Sequence, residues 1–461
     1  MIEVTSFRGE KVAVLGLARS GAAAAEALQR GGAKVMAWDD AAAKRDAAAA
    51  AGLPLVDLGK SDWRDVRALV ISPGIPHTHP APHTAAAQAR AAGAEIIGDI
   101  ELLARSCPKA RYVGITGTNG KSTTTALLGH ILATSGNKVA VGGNLGTPAL
   151  ALPALGADGI YVLEMSSYQL ELTHRATFDV AVLLNVTPNH LDRHGGMAGY
   201  VEAKQRIFAR QVKPQSAIIG IDDEISRDVL IHQAATGEQN VIKISGASRA
   251  MGGVYAADGK LIDDFDGNEE PVLDLRRVPR LPGRHNGQNA AAAYAAARAL
   301  GVPSAKIVAA IKSFPGLAHR QELVATIDGV TYVNDSKATN ADAVANALAC
   351  YDAIYWIAGG VAKEGGIASL APLFPRLRHA FLIGKASEEF AATLTGKVPV
   401  TRSGDLATAV AAASEMARRD GVAGAVVLLS PAGASFDQFA NFEECGDSFR
   451  RLVEHLPGAR R

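Results

Sequence analysis

Three consecutive α/β units are the fold class this 461-residue sequence predicts: a Rossmann-like first unit, a central P-loop ATPase-type unit and a Rossmann-like third. Three observations predict it. Short β-branched runs alternate with alanine-rich helical stretches, the pattern of mostly parallel sheets covered by helices. The chain is longer than one hydrophobic core can organise, so two to three domains are expected. In the middle, a buried-looking strand runs through glycines, a lysine and a hydroxyl into a helix.

The first unit spans residues 1–99. The sequence predicts strands at 11–15, 34–38 and 68–71, and helices at 22–30 and 41–51, where alanine favours helix over linker. Gly16-Leu17-Ala18-Arg19-Ser20-Gly21 follows the first strand and Asp39 closes the second, which imitates the dinucleotide fingerprint. Ala18 stands where a second glycine normally lets the backbone approach a pyrophosphate. A structural turn and a cofactor site are about equally open there, and a nucleotide diphosphate carried by a substrate also fits. The third strand ends in Ser72-Pro73-Gly74.

The second unit, 100–314, contains Gly114-Ile115-Thr116-Gly117-Thr118-Asn119-Gly120-Lys121-Ser122. Ile115 occupies the slot five residues before Gly120, so the match is to a variant P-loop, Gly117-Thr118-Asn119-Gly120-Lys121-Ser122-Thr123. Backbone N–H groups and the helix N-terminus would hold phosphate oxygens, Lys121 would reach the terminal phosphates, and Ser122 could ligate Mg²⁺. Strands are expected at 160–163 and 179–184. The first ends at Glu164, the best-placed acidic Mg²⁺ ligand, although a carboxylate capping the next helix is the plain alternative. The second leads into Asn185-Val186-Thr187-Pro188-Asn189-His190-Leu191-Asp192, where His190 and Asp192 compete as ligands. Lys204, in a helix-like stretch, reads by pattern as a solvated surface lysine. Residues 241–275 read as antiparallel hairpins, and a helix follows to about residue 300.

The third unit, 315–461, begins after Phe314-Pro315-Gly316. Strands predicted at 331–333, 354–357, 380–383 and 425–429 each end in a polar or glycine-rich loop, and ligands in open α/β sheets sit at such carboxyl ends. Asn334-Asp335-Ser336-Lys337-Ala338-Thr339-Asn340 opens onto a helix and suits an anionic ligand, phosphate or carboxylate. Gly359-Gly360-Val361-Ala362-Lys363 and the loop 430–439 repeat the theme, which suggests a small dicarboxylate.

The bulk composition narrows the possibilities further. With 47 Lys+Arg against 46 Asp+Glu, the net charge of +1 gives no electrostatic case for nucleic acid. Three cysteines without C-x-x-C spacing exclude a zinc ribbon and point to free thiols in a reducing cytosol. No signal peptide and no membrane-spanning run is visible, so a cytoplasmic protein without membrane insertion is expected.

Together these motifs resemble the Mur ligase family of peptidoglycan synthesis along essentially the whole chain. The resemblance is carried by the P-loop variant, Ser72-Pro73-Gly74, Gly142-Gly143-Asn144, Glu164-Met165-Ser166-Ser167, the segment 185–192 and His285-Asn286-Gly287-Gln288-Asn289. The loops 334–340 and 429–439 resemble the D-glutamate-adding branch. The resemblance implies a UDP-sugar domain, a central ATPase and a C-terminal amino-acid domain. It also implies ATP and two Mg²⁺ as cofactors, UDP-N-acetylmuramoyl-L-alanine and D-glutamate as substrates, and a monomer.

Residue by residue, the resemblance implies Lys121, His190, Lys204 and Lys337 as catalytic, with Lys204 carbamylated. Ser122, Glu164, His190 and Lys204 would hold the metal. ATP would meet Gly117, Thr118, Asn119, Gly120, Lys121, Ser122, Thr123, Asn289, Arg320 and Asp335. Ser20, Asp39, Gly74 and Asn144 match the UDP-substrate side, and Thr339, Lys363, Ser435 and Phe442 the D-glutamate side. Three alternatives stand beside this one. A folate-polyglutamylating ligase would lack the Asp-Ser-Lys-Ala-Thr-Asn loop, a P-loop switch would turn nucleotide over without co-substrates, and a dehydrogenase is disfavoured by Ala18.

Overall fold

The computed structural model describes residues 2–459, so the terminal Arg460-Arg461 charge pair lies outside the described residues. The first sheet contains β1 (Lys11–Leu15), β2 (Lys34–Trp38), β3 (Val66–Ile71) and β4 (Glu95–Ile97) in the order β2-β1-β3-β4, all parallel. Val12 to Leu15 are fully buried, as expected of a parallel strand covered on both faces. The following helix, Arg19–Arg30, starts three residues earlier than the sequence suggested, with Ala18 at its N-cap.

The second sheet contains β5 (Arg111–Thr116), β6 (Lys138–Gly143), β7 (Gly159–Glu164), β8 (Val180–Leu183), β9 (Val212–Gly220), β10 (Glu238–Ser245), β11 (Val254–Ala257), β12 (Lys260–Asp263) and β13 (Glu270–Asp274). Their order is β13-β12-β11-β10-β9-β8-β5-β7-β6. The antiparallel reading of 241–275 is corrected in part: β10 runs parallel to both β9 and β11, and only β11, β12 and β13 alternate. β10 presents a half-buried pattern, and pattern alone does not tell which neighbour a strand pairs with.

The third sheet contains β14 (Glu322–Ile327), β15 (Val330–Asn334), β16 (Ile354–Gly359), β17 (Leu377–Ile383), β18 (Val400–Gly404) and β19 (Val426–Ala432), in the order β14-β15-β19-β16-β17-β18. It is parallel except for the β14–β15 hairpin. The fold class is thus the one expected, mostly parallel α/β sheets with a small antiparallel part.

Residues up to Asp274 together with Gly287–Ser313 form one compact unit, carrying the first two sheets. Leu275–Asn286 and the chain from Phe314 onward form a second, carrying the third sheet. In the first unit a continuous apolar cluster joins the two sheets, from Val12 and Leu28 to Tyr112 and Tyr161. Among the described residues no helix is long and apolar enough to cross a membrane.

β5 lies between β7 and β8, so the P-loop springs from the interior of its sheet. A Cβ at Gly114 on this strand would sit 2.8 Å from the Phe178 ring and 3.1 Å from Ile207 Cδ1. Gly114→Ala should therefore destabilise the first unit by about 1–3 kcal/mol through overpacking. Thermal melting checks this, and an unchanged melting temperature would show that the ring yields freely.

Candidate active site

The P-loop joins β5 to the helix Lys121–Thr134, with Gly117 at φ 152° and Gly120 at φ 85°, both in the region that favours glycine. Gly120 has a second reason to lack a side chain: its Cβ would lie 2.2 Å from Asn289 Oδ1. Asn289 is buried beneath the loop, where its Oδ1 also accepts from Thr124 Oγ1 at 3.2 Å. Lys121 Nζ donates to the carbonyls of Gly117 and Thr118, both at 2.8 Å, so the lysine curls over its own loop. Ser122 is buried in the helix's first turn.

Lys204 corrects the reading from pattern. It is 2% exposed, and its Nζ donates to the Gly117 carbonyl at 2.9 Å. Its nitrogen also lies 4.6 Å from the centre of the Tyr200 ring. Burial, then the charge of Lys121, holds its pKa well below the ordinary lysine range. The surface reading failed because the helix Met197–Gln205 has no clear apolar face to mark its buried side.

Glu164 ends β7, one strand over from the P-loop, and is buried. Asn144 Nδ2 donates to its Oε1 at 2.7 Å, while its Oε2 has no hydrogen-bond partner. A buried carboxylate oxygen without a donor is costly unless a cation or ligand reaches it, so the donor set fits a divalent metal. Among the described residues no group of three or more His, Cys, Asp or Glu is placed to hold a metal ion. A metal held beside Glu164 would therefore need further oxygens, for which Ser122 and phosphate oxygens are the candidates.

His190 precedes a short helix at φ 53°, exposed, with its ring 5.2 Å from that of Tyr168. Partial desolvation of the ring by its neighbours, then the nearby His194 and Lys121, lowers its pKa and so favours the neutral imidazole, although the residue as a whole is exposed. Asp192, the competing ligand, is exposed.

Ser20, Asp39, Gly74 and Asn144 come together on a cleft of about 490 Å³, which also includes Ser166 and Tyr168. The Asp39 carboxylate accepts from the N–H groups of Leu17 (2.7 Å) and Ala41 (2.9 Å), so it braces the glycine loop. Asn144 lies on this cleft and bonds Glu164, which links the cleft to the candidate metal site.

Sequence reasoning missed the support of the loop. Asn119 N–H donates to Asn185 Oδ1 (2.9 Å), Asn185 Nδ2 to Gln288 Oε1 (2.9 Å), and Gln288 Nε2 to Asp222 Oδ2 (2.8 Å). Asn185 and Gln288 stand inside motifs already singled out, but spacing could not say which amide faces the loop.

In the second unit, Asp335 is buried, accepting from Ser430 Oγ (2.8 Å) and Gln321 N–H (3.1 Å). Arg320 lies between His319 (φ 64°) and Gln321 (φ 43°), and its charge acts on Asp335. Lys337 Nζ lies 4.9 Å from the centre of the Phe442 ring. Thr339 N–H donates to the Lys337 carbonyl at 2.9 Å. Ser435 is buried with its Oγ unpartnered, and Lys363 lies in the loop after β16.

Residues 115–297 match the Mur ligase middle domain and residues 319–433 the Mur ligase glutamate ligase domain. The chain belongs to the Mur ligase family. It is 56% identical over 454 residues to the UDP-N-acetylmuramoylalanine–D-glutamate ligase of Paramagnetospirillum magneticum, covering 98% of each chain. It is 52% identical to the ligase of the same name from Rhodospirillum rubrum, covering 100% of this chain and 99% of that one. Solved structures share its fold. These include the MurF ligase of Thermotoga maritima in complex with ADP (TM-score 0.56, 18% identity, 98% and 97% of the two chains) and the UDP-N-acetylmuramate-alanine ligase of the same organism (TM-score 0.56, 16% identity, 96% and 98%).

Burial pushes the Asp335 carboxyl up to about 7, against the opposing pull of Ser430, the Gln321 N–H and Arg320. An unfolded Asp titrates near roughly 3.9. Between those values the folded unit holds a proton that the unfolded chain has released, so stability falls as pH rises through that window. Asp335→Asn cannot ionise and should flatten the fall. Urea midpoints of the two chains across this window check it, and an undiminished slope in the variant would assign the pH dependence elsewhere.

Proposed function

We propose that the chain adds D-glutamate to UDP-N-acetylmuramoyl-L-alanine with ATP, forming ADP and phosphate, in bacterial peptidoglycan precursor synthesis. The observation that carries this reading is the 56% identity over 98% of the chain to a ligase of that name. The site chemistry accords with it, because a nucleotide-sized cleft is tied through Asn144 to a carboxylate beside a P-loop. We assign it to the cytoplasm as a monomer.

The alanyl carboxylate attacks the γ-phosphorus of ATP, the bond to the ADP oxygen breaks, and an acyl phosphate forms. The amine of D-glutamate then attacks the acyl carbon, phosphate leaves, and the amine nitrogen loses its proton. Little covalent chemistry is asked of the protein, whose work is positioning and charge neutralisation.

The P-loop N–H groups and Lys121 hold the polyphosphate against the repulsion of the incoming carboxylate. Ser122, Glu164, His190 and Lys204 would hold Mg²⁺, which screens that same charge when bound. Lys204 suits this once carbamylated: its depressed pKa supplies the neutral amine that adds to CO₂ with loss of a proton, and the product offers anionic oxygens in place of an ammonium. In the second unit, Arg320 and Asp335 are assigned to ATP, and Lys337, Thr339, Lys363, Ser435 and Phe442 to D-glutamate and its reaction. Buried Ser435 Oγ, unpartnered, is a donor ready for a carboxylate.

Phosphate release from Mg²⁺-ATP should depend on both the nucleotide sugar and D-glutamate, and L-glutamate or lysine should not substitute. Release indifferent to the nucleotide sugar would leave an ATPase of other purpose. Lys121→Ala should lower turnover by at least about 100-fold, the scale of losing one charge-stabilising group. The circular dichroism of this variant should be unchanged, and near-normal turnover would remove the P-loop assignment.

A further inference from the structure

Between the nucleotide-sugar cleft and His190 stands a side-chain stack that no step above uses. Tyr168 lies on the cleft. The Arg193 guanidinium lies 4.7 Å from the centre of its ring, and the His194 imidazole stacks on it at 5.2 Å and 16°. The ring of His190 stands 5.2 Å from the same tyrosine.

Both flanking residues are anchored. Arg193 donates to two carbonyls of the first-sheet region, Gly74 at 2.8 Å and His79 at 3.2 Å, so its fork grips the loop that carries a cleft residue. His194 has a fully buried side chain and spends both ring nitrogens, Nδ1 on Glu171 Oε1 (2.8 Å) and Nε2 on Ser167 Oγ (2.9 Å). Glu171 also faces His77, at 3.8 Å.

An aromatic ring held this way cannot move without carrying its neighbours, because packed side chains occupy discrete arrangements. The ring–ring and cation–π contacts are each individually small. Together they are sufficient to bias one exposed imidazole between positions.

We propose that Tyr168, clamped between Arg193 and His194, is a positioning residue that transmits occupancy of the nucleotide-sugar cleft to His190. Filling the cleft seats the loop at Gly74, Arg193 fixes the tyrosine ring, and the ring sets the imidazole for its cation. The sequence places no signal on this arrangement, since Tyr168 and Arg193 are 25 residues apart by number and meet only through the fold. The proposal rests on His190 being a metal ligand, as assigned above.

The test measures linkage in the full chain. Free Mn²⁺ is titrated by electron paramagnetic resonance in the presence of ADP, with and without the carboxamide analogue of UDP-N-acetylmuramoyl-L-alanine. That analogue fills the cleft but brings no carboxylate to the cation, and any residual ligation by its own oxygens would persist in the Tyr168 and Arg193 variants and so is separated from the coupling. The unaltered chain should bind Mn²⁺ about fivefold tighter with the analogue present, a common coupling strength. Tyr168→Phe keeps the ring and should keep the coupling. Tyr168→Leu, and Arg193→Lys, which retains charge but loses the planar fork, should bring it to within about twofold of none.

Coupling that persists in both of these variants, or is absent from the unaltered chain, overturns the proposal. A purely structural role would shift the two affinities separately and leave their linkage intact. His190→Ala serves as the separate check. If Mn²⁺ binding is unchanged in it, the metal assignment of His190 fails, and the proposal fails with it.

Discussion

Two lysine nitrogens meet at one carbonyl oxygen, and much of the first unit is arranged around that fact. The Gly117 carbonyl accepts from Lys121 at 2.8 Å and from Lys204 at 2.9 Å. One of these lysines is almost wholly enclosed. Two ammonium groups so close, one out of water, would be a heavy electrostatic burden, since a buried charge without a counter-charge costs several kcal/mol. The downward shift of the Lys204 pKa expresses that burden. An arriving phosphate would offset that positive charge, because the loop otherwise holds two lysine nitrogens against a single carbonyl.

Holding that geometry requires a loop which does not drift. β5 emerges between β7 and β8, so its end is fixed on both sides. Asn119 is then tied through Asn185 and Gln288 to Asp222, and Thr118 is tied to Thr187 and to Tyr200. The glycines give the backbone its turn, and these side chains give it a position. A Cβ at Gly120 would collide with Asn289, so loop and underlying helix are matched to each other rather than simply adjacent.

The fold was legible to the extent that burial is periodic. β1 falls on the residues that its β-branched run marked, because a strand covered on both faces carries an unbroken apolar signal, and the edge strand β2, buried in alternation, still keeps an apolar run. Short or partly exposed strands such as β4 and β18 carry little signal, and the parallel pairing of β10 needed tertiary context. The site divided similarly. A loop defined by glycines and a lysine can be read from spacing, since local backbone geometry demands those residues. Lys204 cannot, because its burial is decided by what packs over its helix, and only the family resemblance raised it above a surface lysine. Asn185, Gln288 and Tyr168 gave no cue beyond their motifs, because hydrogen-bond and stacking partners lie far away in sequence.

The Asn144–Glu164 pair shows why one scaffold can serve both halves of an amide-forming reaction. Asn144 sits on the cleft beside Ser20 and Asp39 and holds one carboxylate oxygen of Glu164, leaving the other without a donor. A carboxylate with one oxygen satisfied by Asn144 and the other without a donor is open to a cation. Anything that displaces Asn144 removes the hydrogen bond that satisfies Oε1 of this buried carboxylate, and so changes its demand for another partner. Cleft and phosphate loop are therefore joined electrostatically through one side chain, before any larger movement of the protein is considered. That arrangement favours seating the carboxylate substrate and ATP together, the two reactants that phosphoryl transfer joins.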